Sequence, residues 1–388
     1  MPRYPFAVAT MTTPPGIRAR HQVVFCALET YSLVGGMQNF NRRVVRNLKS
    51  TAESRGAPLP RLLFLRDGDS IPKDLTAIAQ SYSNRISFIF GSVLAGLSAD
   101  VLIIGHINLL LIAAIVRCLR WKTPILLFVH GDEVWNEPLR RKKRWYDSIF
   151  LRAISRIASV SQYTADVMSE QFGVSAKRFS LLPNAVDFIE RPSGLGASDV
   201  SVVLTVSRLS SGDRAKNIDQ MLRAIALLKK RMPRVRYEIV GDGSLRAELE
   251  RLAIELGIVE NVSFLGRLTD SELSRAYLRA TVFALPSSKE GFGIVYLEAW
   301  LRLLPVLCSS SGASKEVVSD AHDGFVVNDR DPQEIADRLH DLLSDPALAR
   351  RFGEYGRRKV EAKYLNDSFQ ANLNAIIDRL KEGLSPRL

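Results

Sequence analysis

Short apolar runs recur along this chain, each ending at a glycine or a polar turn and most leading into an amphipathic stretch. Gln22 to Leu28, Arg61 to Leu65, Val101 to Ile104, Ile125 to Val129, Ile157 to Val160 and Phe179 to Leu182 form one series. Val202 to Val206, Val235 to Val240, Val262 to Leu265, Thr281 to Leu285, Val306 to Cys308 and Gly324 to Val327 form another. Runs that are apolar throughout, rather than alternating, belong to strands covered on both faces. Helical crossovers between them keep the strands parallel. The pattern predicts an α/β chain of two doubly wound domains facing across a cleft. A length of 388 residues suits two cores better than one. The turn-rich stretch 190–199 is the predicted linker, giving an N-terminal domain 1–192, a second domain 193–364 and a final helical segment 365–388.

Charge separates the two halves. Residues 1–192 hold 25 Lys and Arg against 14 Asp and Glu, whereas the remainder holds 28 against 27. The basic character therefore belongs to the first half, where a phosphorylated substrate, an anionic membrane or a nucleic acid would answer it. Arg140-Arg141-Lys142-Lys143-Arg144-Trp145-Tyr146 lies in a predicted helix from Glu137 to Ser155. Five cations beside two aromatics read as an interfacial helix at an anionic membrane. No nucleic-acid reading motif accompanies them. Val101 to Val116 is the most apolar stretch, but Gly105, His106 and Asn108 interrupt it and it is too short to span a bilayer. Cys26, Cys118 and Cys308 show no disulfide or metal spacing, which points to a reducing compartment. The first twenty residues carry Pro5, Pro14 and Pro15 and no long apolar run. They do not read as a signal peptide, so the expected location is cytoplasmic, including the cytoplasmic face of the inner membrane.

The chemistry concentrates in the second half. The run Thr281 to Leu285 leads through Pro286-Ser287-Ser288 to Glu290-Gly291-Phe292-Gly293-Ile294-Val295, where a helix begins, and Glu298 follows within it. A helix N-terminus entered through glycines offers backbone N–H groups to a phosphate. Glu290 and Glu298 on either side can accept from sugar and ribose hydroxyls. Arg208 and Lys216, from one strand-to-helix loop, can neutralise a diphosphate leaving group. In the first half, Gly35 and Gly36 open a helix after the first strand, and His106 and His130 end two others, where open α/β sheets bind ligands. Gly241-Asp242-Gly243 lacks the third glycine and acidic partner of a dinucleotide site, and no nucleophile elbow or Walker lysine is present. Asp67-Gly68-Asp69 reads as a turn rather than a metal site.

These motifs resemble the retaining glycosyltransferases of family 4, which have the GT-B fold of two Rossmann-like domains. The resemblance rests on Glu290–Glu298 (Glu-x7-Glu), Pro183-Asn184-Ala185-Val186-Asp187, Ser207-Arg208-Leu209 with Lys216-Asn217, Val240-Gly241-Asp242-Gly243, Phe264-Leu265-Gly266, Gly35-Gly36-Met37-Gln38 and His130-Gly131-Asp132-Glu133. It spans residues 22–365. Ala185 and Ser207 replace glycines of the family pattern.

The resemblance implies that Arg208 and Lys216 hold the diphosphate and Glu290 the donor sugar. The Phe292–Val295 backbone would meet phosphate and sugar, and Glu298 the ribose. Gly241, Gly266, Arg267, Gly291 and Gly293 fall on the donor side. Gly35 and Gly36 would approach the phosphates on closure, and His130 would line the acceptor side with His106, Asp132 and Asn184. It also implies transfer with retention, no cofactor, no essential metal, and a last helix that crosses back to the first domain. The expected reaction is hexose transfer from a nucleoside diphosphate sugar, GDP-mannose ahead of a UDP-sugar. The acceptor would be a saccharide or a lipid-diphosphate-linked saccharide in bacterial exopolysaccharide or lipopolysaccharide assembly. A nucleotide-sugar epimerase, or a non-catalytic basic binder of membrane or nucleic acid, remains the alternative.

Overall fold

The computed structural model describes residues 23–136, 141–191 and 200–383. The first part alternates β1 (Val23–Ala27), α1 (Gly36–Ser54), β2 (Arg61–Leu65), β3 (Ala79–Tyr82), α2 (Arg85–Gly96), β4 (Val101–Ile104), α3 (Leu110–Leu119), β5 (Ile125–Val129), α4 (Asp147–Phe150), β6 (Arg156–Ser159), α5 (Gln162–Phe172) and β7 (Phe179–Leu181). The second runs β8 (Val202–Val206), α6 (Ile218–Leu228), β9 (Arg236–Val240), α7 (Arg246–Glu255), β10 (Val262–Gly266), α8 (Asp270–Arg279), β11 (Val282–Leu285), α9 (Ile294–Leu301), β12 (Val306–Ser309), α10 (Ser314–Val317), β13 (Gly324–Val327), α11 (Pro332–Ser344), α12 (Pro346–Lys363) and α13 (Asn366–Glu382).

Two parallel sheets result, in the orders β3-β2-β1-β4-β5-β6-β7 and β10-β9-β8-β11-β12-β13. The central strands are buried on both faces because their runs are apolar at every position, as in Ile125–Val129. Both orders reverse at one point, between β1 and β4 and between β8 and β11. Outside the C-terminal strand ends at such a reversal the flanking loops part and leave a crevice. The sheets thus present two crevices, one per domain.

Strand β3, Ala-Gln-Ser-Tyr, was not expected. It is a half-exposed edge with no apolar run to reveal it. The basic stretch is a correction. Residues 141–146 are not helical, and helix appears only as the single turn α4. The Asp147 carboxylate takes the Arg141 guanidinium at 2.8 Å and the Arg144 N–H at 2.7 Å, while Asn136 accepts from the Lys143 N–H at 2.7 Å. These bonds replace the helical ladder. Arg141 is buried against Asp147 and Asn108, so it does not belong to a membrane-facing patch. Lys142, Lys143, Arg144 and Trp145 are exposed, and Arg140 lies outside the described residues.

Helix α13 lies on α1 of the first domain. Asn366 accepts from Arg43, Arg46 and Asn47 at 2.8–2.9 Å, and the Phe369 ring meets Phe40 edge-on at 5.3 Å. Beside it the Val186 N–H donates to the Tyr364 carbonyl at 2.9 Å, so the two connections between domains run together.

Candidate active site in the interdomain cleft

The crevice of the second sheet is built from the loops after β8 and β11. The first ends in Lys216 and Asn217, the latter with φ 56°. The side-chain amide of Asn217 donates to the Pro286 carbonyl at 2.8 Å and to buried Asp329 at 3.2 Å. Asp329 also accepts from Ser309 and Ser311, each at 2.7 Å. The Ser288 N–H and the Ser287 hydroxyl both reach the Ala215 carbonyl. These bonds tie the two loops into one frame, and across it Lys216 Nζ meets Glu290 Oε2 at 2.7 Å. The sequence reading quoted Asn217 only as a motif partner and missed Asp329, Ser309 and Ser311. Their roles come from three different loops and leave no spacing to detect.

Arg208 comes from the same β8 loop but pairs with buried Asp213 at 3.0 Å, its own side chain remaining 61% exposed. It has no direct contact with Lys216 or Glu290 among the hydrogen bonds described. Gly241 and Gly243 explain how its loop is seated. An added Cβ would fall 1.7 Å from the Ser207 carbonyl oxygen at Gly241 and 2.4 Å from that of Leu209 at Gly243. Both glycines therefore let the β9 loop press against the Arg208 loop. The Gly241 N–H donates to the Gly266 carbonyl at 2.8 Å, and the neighbouring Arg267 is exposed.

Helix α9 begins at Ile294 after Gly293, whose φ of 89° is the left-handed geometry that favours glycine. Its first N–H groups have no partner within the helix. Phe292 is buried against Tyr364, and Ile294 and Val295 are half-buried. Glu298, one turn on, accepts from the Tyr277 hydroxyl at 2.9 Å, and burial raises its pKa. Ile294 and Glu298 line a cavity of about 550 Å3 whose other wall is α1 of the first domain, with Asn39 and Arg42, and which also reaches Asn184.

In the first domain, Gly35 and Gly36 open α1, and nothing lies within 4 Å of a Cβ built on Gly36. Their loop is clamped from both sides. Asp67 accepts the N–H groups of Thr30, Tyr31 and Ser32 at 2.8–2.9 Å, and Arg42 donates to the Thr30 carbonyl at 2.8 Å. Asp67 thus shapes this loop from the end of β2.

The two domains meet at Gly291, where a Cβ would sit 2.2 Å from the His130 carbonyl oxygen. The His130 ring packs edge-on against Phe40 at 4.7 Å, and its Nε2 is enclosed without a hydrogen-bond partner. Burial lowers its pKa to about 4, opposed by a hydrogen bond to the Gly105 backbone, so the ring is neutral at pH 7. His106 caps the turn that follows, its Nδ1 accepting from the Asn108 N–H at 3.0 Å, and burial takes its pKa to about 3. Asp132 is half-buried in the turn beside Glu133. Glu133 itself is buried among backbone N–H groups, and burial pushes its pKa up to about 7. Sequence reading quoted Glu133 only within a motif and passed over Glu316. The latter crosses from α10 to the backbone of α5.

The paired parallel sheets and cleft define the GT-B architecture, and a solved structure carries it: the Anabaena protein HepE in complex with UDP has a TM-score of 0.74 at 19% identity over 92% of this chain and 100% of that one. Residues 18–189 match the family described as Glycosyltransferase Family 4, and residues 188–359 match Glycosyl transferases group 1. The chain belongs to the family 4 glycosyltransferases. A GDP-mannose-dependent alpha-(1-6)-phosphatidylinositol monomannoside mannosyltransferase of Mycolicibacterium smegmatis is 35% identical over 60% of this chain and 64% of its own length, just under two thirds of that relative. The Mycobacterium tuberculosis H37Rv protein of the same description is 30% identical over 64% of this chain and 68% of its own.

Proposed function

We propose that this protein transfers a hexose, mannose from GDP-mannose, to a saccharide carried on a lipid, in the assembly of a bacterial surface glycan. The observation that carries the reading is the Lys216–Glu290 pair at the second sheet's reversal, with the N-terminus of α9 beside it and Glu298 one turn further. In this reading the donor diphosphate takes over Lys216 and draws in the exposed guanidinium of Arg208. Glu290 is then released to the sugar hydroxyls, and Glu298 accepts from the ribose. The phosphate charge is answered by these cations and by backbone N–H groups, so no metal is required for the electrostatics. Neutral His130, whose backbone carbonyl faces Gly291 where the domains touch, is assigned to the acceptor side in this reading.

The configuration of the anomeric carbon is retained in this proposal by front-face attack, the leaving phosphate assisting the acceptor hydroxyl. The relatives named for phosphatidylinositol mannosides and GDP-mannose support the donor and the lipid character of the acceptor. The basic first half suits a phosphorylated lipid headgroup.

The test is to incubate the protein with GDP-mannose and, in parallel, UDP-glucose, with and without a phosphatidylinositol mannoside acceptor and with and without EDTA. Acceptor-dependent, EDTA-insensitive mannosylation from GDP-mannose is expected, with an α-linked product. Conversion of the sugar nucleotide without acceptor would replace this reading with an epimerase. GDP at about 100-fold over its dissociation constant should stabilise the protein by about 2.7 kcal/mol, and no thermal shift with GDP or UDP would overturn the donor assignment.

A further inference from the structure

In the first domain, α2 and α3 carry apolar side chains on the outside of the molecule. On α2, Ile86, Phe90 and Leu94 fall four residues apart and form one stripe, Ile86 82% and Phe90 66% exposed. The inward face of the same helix is already apolar, with Phe88, Val93 and Ala95 buried. On α3, Leu111 and Leu119 are exposed and Ile115 half-exposed, while Ile112, Ala113 and Val116 face the sheet. The two helices are neighbours. A Cβ on Gly96 would fall 2.8 Å from Val116, and Arg120 donates to the Leu97 and Ala99 carbonyls at 2.8 and 2.9 Å. Trp121 follows α3 at 72% exposure, and Trp145 and Ile149 stand out beside α4. The core has no use for these residues, and together they exceed scattered surface apolars.

The charge around them has one sign. Arg85, Lys122, Lys142, Lys143, Arg144 and Arg152 are exposed on or beside these elements, while Arg117 and Arg120 are turned to backbone carbonyls, and the sequence from Val101 to Gly131 contains no acidic residue. Asp147, the acid within α4, is taken by Arg141. Asp100, at the foot of α2, is half-buried.

We propose that this face rests on an anionic lipid bilayer. Ile86, Phe90 and Leu94 would enter the acyl boundary, with Trp121 and Trp145 at headgroup depth and the cations on the phosphates. Apolar residues, interfacial tryptophans and one-signed basic charge are the combination that a bilayer surface rewards. A second copy of the chain fits poorly, since a two-fold contact would set this positive face against itself. No described helix is long and apolar enough to cross a membrane, so the contact is a surface one. The inference rests on the lipid-borne acceptor proposed above. It replaces the expected basic helix with an apolar surface whose cations form only the margin.

The experiment is sedimentation of the full chain with vesicles of phosphatidylcholine alone and of equal parts phosphatidylcholine and phosphatidylglycerol. Ile86→Ser/Phe90→Ser and Trp121→Ser are compared with the parent. Binding to the anionic vesicles alone is expected, weakened about tenfold or more by Ile86→Ser/Phe90→Ser. All three proteins should keep the same melting temperature and GDP shift, because the altered side chains are exposed. A blue shift of tryptophan emission on vesicle addition should shrink in Trp121→Ser. Parent-like vesicle binding by Ile86→Ser/Phe90→Ser overturns the proposal, as does failure of the parent to bind. Concentration-dependent dimerisation in the absence of lipid that the double substitution abolishes would assign the face to self-association instead. The GDP shift is read in the same samples, so failure of the donor assignment appears separately from failure to bind vesicles.

Discussion

Glu316 joins the two domains: its carboxylate accepts the backbone N–H of Gln162 at 2.8 Å and of Tyr163 at 2.5 Å, across the cleft at the start of α5. Ser161 accepts the Thr164 N–H, so three of the unpaired donors at that helix end are satisfied, two of them from the other domain. The negative carboxylate also meets the positive end of the helix dipole. Helix α10, which carries Glu316, is tied to the Glu290 loop by the Ala313 N–H at 3.0 Å from the Glu290 carbonyl.

Glu316→Ala is therefore expected to loosen closure without disturbing the donor frame. The contact is worth about 0.3–1 kcal/mol when exposed and up to about 2 kcal/mol when partly buried. Small-angle scattering in the presence of GDP should show a larger radius of gyration than the parent. The transfer rate should fall while the GDP dissociation constant stays within about twofold. An unchanged radius and an unchanged rate would remove Glu316 from any role in closure.

Removing Lys216 leaves Glu290 without its ion-pair partner and the diphosphate without a cation. Lys216→Ala should cost about 3–4 kcal/mol of transition-state stabilisation, two to three orders of magnitude in rate, as lost electrostatic donors do. Steady-state transfer from GDP-mannose checks it. A rate within fivefold of the parent would place the diphosphate elsewhere.

Gly291 meets the other domain backbone to backbone. The methyl of Gly291→Ala would fall 2.2 Å from the His130 carbonyl oxygen, and neither partner is a flexible side-chain end. The cleft must then open. Expected are a transfer rate at least tenfold lower, unchanged melting of the protein, and a GDP shift close to that of the parent. A fully active Gly291→Ala protein would mean that catalysis does not use this closed contact.

His130 and His106 are held neutral, with folded pKa values of about 4 and about 3 against about 6.5 unfolded. Between those limits the unfolded chain binds more protons, so each histidine makes stability rise with pH and withdraws stability as pH falls below about 6.5. Glu133 acts oppositely. Its folded pKa near 7 exceeds the unfolded value, so its contribution declines as pH rises from about 4.5 to 7. Two histidines outweigh one glutamate, and urea midpoints should increase from pH 4.5 to 6.5. Glu133→Gln should steepen that rise and His130→Gln flatten it. A midpoint that falls over this range in the parent would contradict the burial of the histidines.

Much of the fold was legible because fully buried strands need continuous apolar runs, and those runs are local. β3 was not, since an edge strand half open to water carries no such run. The basic stretch misled for a related reason. Five successive cations look alike in a list, but Arg141 turns inward to Asp147 while Lys142 to Arg144 stay out, and only the fold distinguishes them. Within the site, Lys216 and Glu290 could be named from loop chemistry. Asn217 and Asp329 could not be given their supporting roles, because they act through bonds between residues 112 positions apart.

By itself, then, the sequence determined the two parallel sheets and their alternating crossovers, since periodicity is a property of neighbouring residues. It also placed cations and carboxylates at strand ends. Only the tertiary structure decided which of them meet: Lys216 with Glu290, Arg208 with Asp213, Glu316 with the far domain, Asp67 with the glycine loop. It likewise decided which apolar side chains are left on the outside. Such choices depend on distances set by the packing of distant segments, and burial converts them into charge states and contacts that no local pattern encodes.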